Sequence, residues 1–419
     1  MHSPLSDWKE YKLSELGIFS RGKSKHRPRD DKRLFENGKY PLVQTGEIKD
    51  AMLYINHHDL EYGDFGLAQS KLWDKGTLCI TIAANIAETA IISYPMCFPD
   101  SIVGFTANKN KSSALFMHYI FSLTRKSIQN FASGSIQDNI NLKYLTNLKF
   151  KVPPKHYQDK IVAILSILDD KIELNNKINS ELEAIARTLY DYWFVQFDFP
   201  DENGPYKSAN GAMIYSDVLK RNIPAGWRVE KFNKFVTIDS GFPFNSDDYV
   251  KNGKWKIVTI KNVQDGNLDL SNTETIDELP SKISDFVKLK IGDVLMSLTG
   301  NVGRMCIVDT ENLLLNQRVG KIIADAEFLL FSHLFLTSKS NRIRLERISN
   351  GSSQQNLSPI QAVDFQFALP PQNVLSAFNE IIKPIYEKLR TMKQETRHLA
   401  ILRDFLLPML MNGQAVVAD

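Results

Sequence analysis

Gly76-Thr-Leu-Cys-Ile-Thr-Ile-Ala-Ala-Asn85 and Gly292-Asp-Val-Leu-Met-Ser-Leu-Thr-Gly-Asn301 lie 216 residues apart and share a glycine, an apolar run and a closing asparagine. The same order returns on both sides of them. Upstream, Trp8-Lys-Glu-Tyr-Lys-Leu-Ser-Glu-Leu16 resembles Trp227-Arg-Val-Glu-Lys-Phe-Asn-Lys-Phe235. Downstream, Val103-Gly104 matches Val319-Gly320, and Leu123-Thr-Arg-Lys-Ser127 echoes Leu336-Thr-Ser-Lys-Ser340. Gly134-Ser-Ile-Gln-Asp-Asn-Ile140 matches Gly351-Ser-Ser-Gln-Gln-Asn-Leu357, and Val152-Pro-Pro154 matches Leu369-Pro-Pro371. The order is kept and the offsets stay between 213 and 219 residues, so a tandem duplication is the economical account.

Each half divides in two. The first part, 1–150 and 227–370, mixes short apolar runs with Gly, Asn, Asp and Ser punctuation, which predicts a mixed α/β domain with largely antiparallel strands. The second part, 151–199 and 371–413, predicts a long helix. Ile161, Leu165, Leu168, Ile172, Ile178, Leu182, Ile185, Leu189 and Tyr192 recur at three- and four-residue steps, with one wider gap. Phe378, Ile382, Ile385, Leu389, Met392, Leu399, Leu402, Leu406 and Met409 do much the same. A helix of about 40 residues is about 60 Å long and needs an equally long partner, which the repeat supplies. Asn175, Asn176 and Asn179 interrupt the first seam as register-setting polar positions. Pro384 should kink the second helix or delay its start. Residues 200–226 read as a turn-rich linker. The expected α+β architecture is two similar α/β domains separated by an antiparallel pair of coiled-coil helices, pseudo-twofold overall.

Composition narrows the function classes. The chain has 419 residues, 43% hydrophobic and 24% charged, with a net charge of +3 that permits an anionic partner. Cys79, Cys97 and Cys306 are scattered and suggest neither disulfides nor a zinc ribbon. The first residues lack a signal-peptide pattern, and the apolar stretches Ala114–Leu123 and Phe328–Leu336 are too short for a membrane span. A reduced, cytoplasmic setting follows.

This order of motifs resembles the specificity (S) subunit of type I restriction–modification systems: W-x-x-x-x-L, an apolar strand, G-S-x-Q-x-N, h-P-P, a long helix, then all of it again. The resemblance covers essentially the whole chain. It implies two target-recognition domains that each read half of a split sequence in double-stranded DNA. The two helices then act as ruler and as dock for two methyltransferase (M) subunits, with nuclease–translocase (R) subunits joining. It implies no catalysis by this chain, so S-adenosylmethionine, ATP and magnesium are expected on partner subunits alone. The residues after each Pro-Pro pair, His156-Tyr-Gln158 and Gln372-Asn-Val374, depart from the acidic residue and Gln that the family often carries. Half-sites about 34–36 Å apart, one turn of DNA, suit two readers on a stiff spacer.

Candidate DNA contacts fall in three groups. Arg21, Lys23, Lys25, Arg27 and Arg29 open a basic loop containing Gly22 and Pro28, able to meet phosphates and a guanine edge. A plain solvated loop is the competing reading. Ser135, Gln137, Asn139, Ser352, Gln354 and Gln355 can pair with adenine or phosphate, or can simply turn the chain and cap a helix. Arg304 and Arg318 sit on predicted turns. Trp8 and Trp227 read as core anchors.

Two other functions compete. Gly17-Ile-Phe-Ser-Arg-Gly22-Lys23-Ser24 matches GxxxxGK[ST] letter for letter, the mark of a P-loop NTPase with a helical arm. Yet Tyr11–Leu16 is half polar and Pro28 interrupts any following helix. A coiled-coil scaffold carrying two protein-binding domains is the other. No methyltransferase motif is present. Asp169-Asp170-Lys171 reads as the solvated helix face rather than a nuclease centre, and adjacent His57 and His58 diverge on a strand, so no metal site is expected.

Overall fold

The computed structural model describes residues 7–133, 140–351, 355–415 and 417. The chain divides into two compact units, Met1–Leu174 with Thr396–Asp419 and Asn175–Glu395.

In the first unit, Lys9–Lys12 pairs antiparallel with Lys149–Val152, closing the α/β body just before Pro153. Between them stand two sheets. One runs in the order Gly17–Arg21, Ile102–Ala107, Leu78–Thr81, Thr89–Ile92, Tyr54–Ile55. The other runs Leu60–Tyr62, Tyr40–Leu42, Met96–Cys97, Leu72–Trp73. Every residue of Leu78–Thr81 and Thr89–Ile92 is buried, so these strands carry unbroken apolar runs instead of alternation. Ala114–Ser133 packs its Phe116, Met117 and Phe121 against the first sheet.

The second unit repeats this plan. Arg228–Lys231 pairs with Gln366–Leu369. Its sheets run Val236–Ser240, Val319–Ala324, Val294–Ser297, Met305–Ile307, and Thr275–Ile276, Trp255–Val258, Leu313–Leu315, Lys288–Leu289. The single helix of the first body is here split at Ser338 into Ala326–Thr337 and Lys339–Ile348. The duplication is therefore one of topology.

The structure also corrects the alignment. The Ile82 N–H donates to the Ser101 carbonyl and the Leu298 N–H to that of Arg318, which makes Ser101 and Arg318 equivalent. Val103-Gly104 therefore does not match Val319-Gly320. The match slips by one residue, because a shared dipeptide carries no register, whereas a strand's hydrogen bonds do.

The long helices form as Lys155–Tyr190 and Gln372–Met411. The second starts directly after Pro371, so Pro384 does not delay it. In the first unit Ile161, Leu165 and Ile172 are buried with Leu410 and Met411. In the second, Phe378, Ile382, Leu389 and Met392 are buried. Three expected seam residues, Ile185, Tyr192 and Leu402, are instead exposed. Ala186, Tyr190, Trp193 and Phe194 take the inner face of the first helix, which ends in a π turn at Asp191–Val195. A straight helix at 3.6 residues per turn drifts off a heptad, and the wide turn moves the aromatic pair inward.

Polar groups punctuate both stretches. Asn175 and Asn179 are buried, Asn176 is exposed, and Asn175 Nδ2 donates to Glu395 Oε2 at 2.9 Å. Asp169 is not the solvated residue expected from its charge. It is buried, accepting from the Tyr119 hydroxyl at 2.7 Å and from Arg403 Nη1 at 2.9 Å. Residues 200–226 form two hairpins, Pro200–Asp201 with Gly204–Pro205 and Met213–Ser216 with Arg221–Pro224. Trp227 is buried among Phe194, Phe197 and Phe199, and Trp8 is also buried.

Candidate nucleic-acid interface

The basic segment of the first unit leaves the sheet at Arg21 and is held along its length. Gly22 N–H donates to the Ile102 carbonyl at 2.8 Å, Lys23 N–H to that of Phe98 at 3.2 Å and Lys25 N–H to that of Gln69 at 3.1 Å. A Cβ on Gly22 would stand 2.3 Å from the Phe98 and Pro99 carbonyl oxygens, so only glycine fits. Gly241 meets the Leu315 carbonyl in the same way. This explains the glycine of the P-loop string and removes the NTPase reading. Gly17–Arg21 is itself the strand, and the next helical turn, Lys32–Leu34, comes only after Pro28. No phosphate-cradling helix start follows the lysine.

On this pinned loop the five basic residues play two roles. Arg29 Nη2 bonds Asp100 Oδ1 at 2.6 Å, and Arg27 lies 3.7 Å from the same carboxylate while also donating to the Ser24 and His26 carbonyls. Arg21, Lys23 and Lys25 are exposed and have no salt bridge among the described residues. Asp31 braces the far end through His26 and Arg33. Its hydrogen bonds to Arg33 and His26 hold its carboxyl well below the usual range.

A cleft joins this loop to the sheet edge. Arg21, Arg29, Ile82, Ala83, Asp100, Ser101, Ile140 and Asn141 line it. Ile140 follows the G-S-x-Q-x-N segment directly and ties it to the cleft, its N–H donating to the Ile82 carbonyl at 3.0 Å. The expected contacts Ser135, Gln137 and Asn139 lie outside the described residues, as do Ser352 and Gln354.

In the second unit the Leu357 N–H donates to the Leu298 carbonyl at 2.8 Å, and the exposed Gln355 accepts from Gly300 N–H through its carbonyl. Asn141 and Ser358 both cap the helix that follows, accepting from Tyr144 and Gln361 N–H. The side chains at the remaining equivalent positions differ. Ser240 replaces Arg21, Gln317 replaces Asp100 and Arg318 replaces Ser101. Arg318 is exposed with no salt bridge among the described residues, whereas Arg304 is committed to Gln264. Arg21 ends the strand Gly17–Arg21, whereas Arg318 immediately precedes Val319–Ala324, which pairs with the counterpart of that strand. Asp100 and Gln317 escape a reading of sequence because only the one-residue slip brings them to the same place.

The duplicated fold agrees with what similar proteins show. The model of the type I restriction modification DNA specificity domain matches residues 5–184 and again 224–399. The chain belongs to that family. Its function is accordingly DNA sequence specificity within a type I restriction–modification system. It is 24% identical to the type I restriction enzyme MjaIX specificity subunit of Methanocaldococcus jannaschii, over 99% of this chain and 94% of that one. It is 23% identical to the HindI specificity subunit of Haemophilus influenzae, over 98% of this chain and all of that one. The crystal structure of the S subunit from M. genitalium superposes with a TM-score of 0.57 at 14% identity, covering 96% of both chains, and so shares the fold.

Among the described residues no three His, Cys, Asp or Glu side chains are grouped to hold a metal. His57 and His58 follow the strand rather than forming part of it, and face Asp59, Tyr94 and Glu61. Cys79, Cys97 and Cys306 are buried and unpaired. No helix among the described residues is long and apolar enough to cross a membrane.

Proposed function

We propose that each α/β body, 1–150 and 227–370, reads one half of a bipartite sequence in double-stranded DNA. In the first, Arg21, Lys23 and Lys25 contact phosphates and Arg21 also reaches a base edge. In the second, Gln317 and Arg318 occupy the corresponding place. The observation that carries this is one scaffold built twice with different polar side chains at the positions equivalent to those around the first unit's cleft. Two half-sites of different sequence demand that combination.

The helical parts, 151–199 and 371–413, set the half-site spacing and dock two M subunits. Exposed apolar side chains on them support the docking. In the first unit Ile167 is 67% exposed, Ile401 62% and Phe405 62%, on stretches whose register Asp169 and Arg403 fix. Left in water, these side chains offer apolar area that a docked subunit could cover. Adenine methylation then belongs to the M subunits with S-adenosylmethionine, and ATP- and magnesium-dependent cleavage to R subunits, in the cytoplasm.

Co-expression and co-purification with type I M subunits, followed by methylation of a plasmid library and long-read sequencing, tests the reading. A bipartite motif with a constant gap is expected. Methylation without such a motif, or no complex, overturns it.

A further inference from the structure

Around the first cleft and at the equivalent positions of the second unit the described polar residues differ, while the asparagine of one turn is kept. Asn85 and Asn301 stand at the same point of the same turn. Thr81 and Ser297 are buried, and each hydroxyl donates to the carbonyl of its asparagine. Each hydroxyl oxygen also accepts from the backbone N–H of Glu88 or Arg304, at 3.0 and 3.1 Å. The Ala87 and Gly303 N–H groups donate to the Thr81 and Ser297 carbonyls, both at 2.9 Å. The two turns even share their unusual backbone: φ is +61° at Ala84 and Ala87, and +75° at Gly300 and Gly303.

The asparagines are not there to shape the turn. The left-handed positions, where asparagine would be favoured, are taken by alanine and glycine, and neither Asn85 nor Asn301 has a positive φ. Asn301 is exposed and Asn85 half-buried, and neither carboxamide has a partner among the described residues. Ile82 and Ala83, three and two residues before Asn85, line the first cleft.

Identity amid difference is informative, here as for the Ser, Gln and Asn letters that the two G-S-x-Q-x-N segments share. Arg21, Asp100, Ser101 and Glu88 become Ser240, Gln317, Arg318 and Arg304, yet the asparagine stays. Side chains that change between two readers of different half-sites read what differs. One that does not change meets something the half-sites share. A carboxamide offers one donor edge and one acceptor edge, which match adenine N7 and N6 in the major groove. A phosphate would use only the donor, and would not require so stiff a mount.

Resting on the bipartite-reader reading above, we propose that Asn85 and Asn301 each recognise an adenine common to both half-sites, through paired hydrogen bonds to N6 and N7. The test uses the full S chain with its M subunits and the same methylated library. Asn85→Ala should relax one adenine position of one half-site about ten- to a hundredfold and leave the other half-site intact, and Asn301→Ala the reverse. The isosteric Asn85→Asp keeps the turn and presents acceptors only, so that position should shift from adenine toward cytosine. An unaltered motif in all three variants overturns the proposal, as does a uniformly slower reaction with the motif intact, which would place the asparagine on the sugar–phosphate backbone. If the wild-type complex shows no bipartite motif, the underlying reading fails instead.

Discussion

The pinned basic loop makes a quantitative claim about salt. Arg21, Lys23 and Lys25 have no salt bridge among the described residues, whereas Arg27 and Arg29 share Asp100 and together carry one net charge. If the first three each neutralise a phosphate, replacing all of them with alanine removes about 0.9 × 3, or about 2.7, from the slope of log K against log salt concentration. Between about 50 and 200 mM salt the advantage of the native chain over the triple variant should then shrink by about fortyfold. Asp100→Asn is the complementary change. It leaves Arg27 and Arg29 without their counter-charge and should steepen the slope by about 0.9. Fluorescence anisotropy with a target duplex and a scrambled duplex, using the S chain with its M subunits, measures both. Parallel slopes for native and triple variant would refute the assignment of this loop to the DNA. A shift on the target duplex but not on the scrambled one would refute a phosphate role for Lys23 and Lys25.

Three further outcomes follow from the packing. His118 is buried beside Arg125 and Arg403, and desolvation lowers its pKa from 6.5 to about 4. The unfolded chain therefore takes up the proton first. Stability should be full above pH 6.5 and fall by about 3 kcal/mol as pH drops toward 4, and His118→Gln should flatten that part of the pH profile in urea titrations. Asp169→Ala leaves the Tyr119 hydroxyl without its acceptor and Arg403 with only Asp404 among the described residues, and should cost about 1–3 kcal/mol, against little for Asp170→Ala on the exposed side, as read by chemical denaturation. At the paired turns, Ala84→Gly should stabilise by a few tenths of a kcal/mol up to about 1, while Gly303→Ala should destabilise by about 1–2 because φ is +75° and its Cβ would sit 3.3 Å from Leu345 Cδ1. Thermal melts giving both substitutions the same sign would contradict the backbone argument.

Order and periodicity were enough to show the duplication, the α/β bodies, the long helices and the buried tryptophans. Apolar spacing and turn residues are local quantities, and a repeated list of them survives even where few letters match. The same locality explains what stayed hidden. Asp169 looks like a surface charge until Tyr119 and Arg403, 50 and 234 positions away, are brought against it. The letters of a P-loop do not reveal that Gly22 is needed to pass the Phe98 carbonyl, nor can a matching Val-Gly pair disclose a one-residue slip in strand register. Ile185, Tyr192 and Leu402 kept the heptad count but lost the inner face as the helices drifted and the π turn intervened. Chain order thus determined which elements form and that they form twice. Which side chains meet in the first unit's cleft and which charges are already paired were decided by tertiary structure, because those are contacts between residues that no local pattern relates.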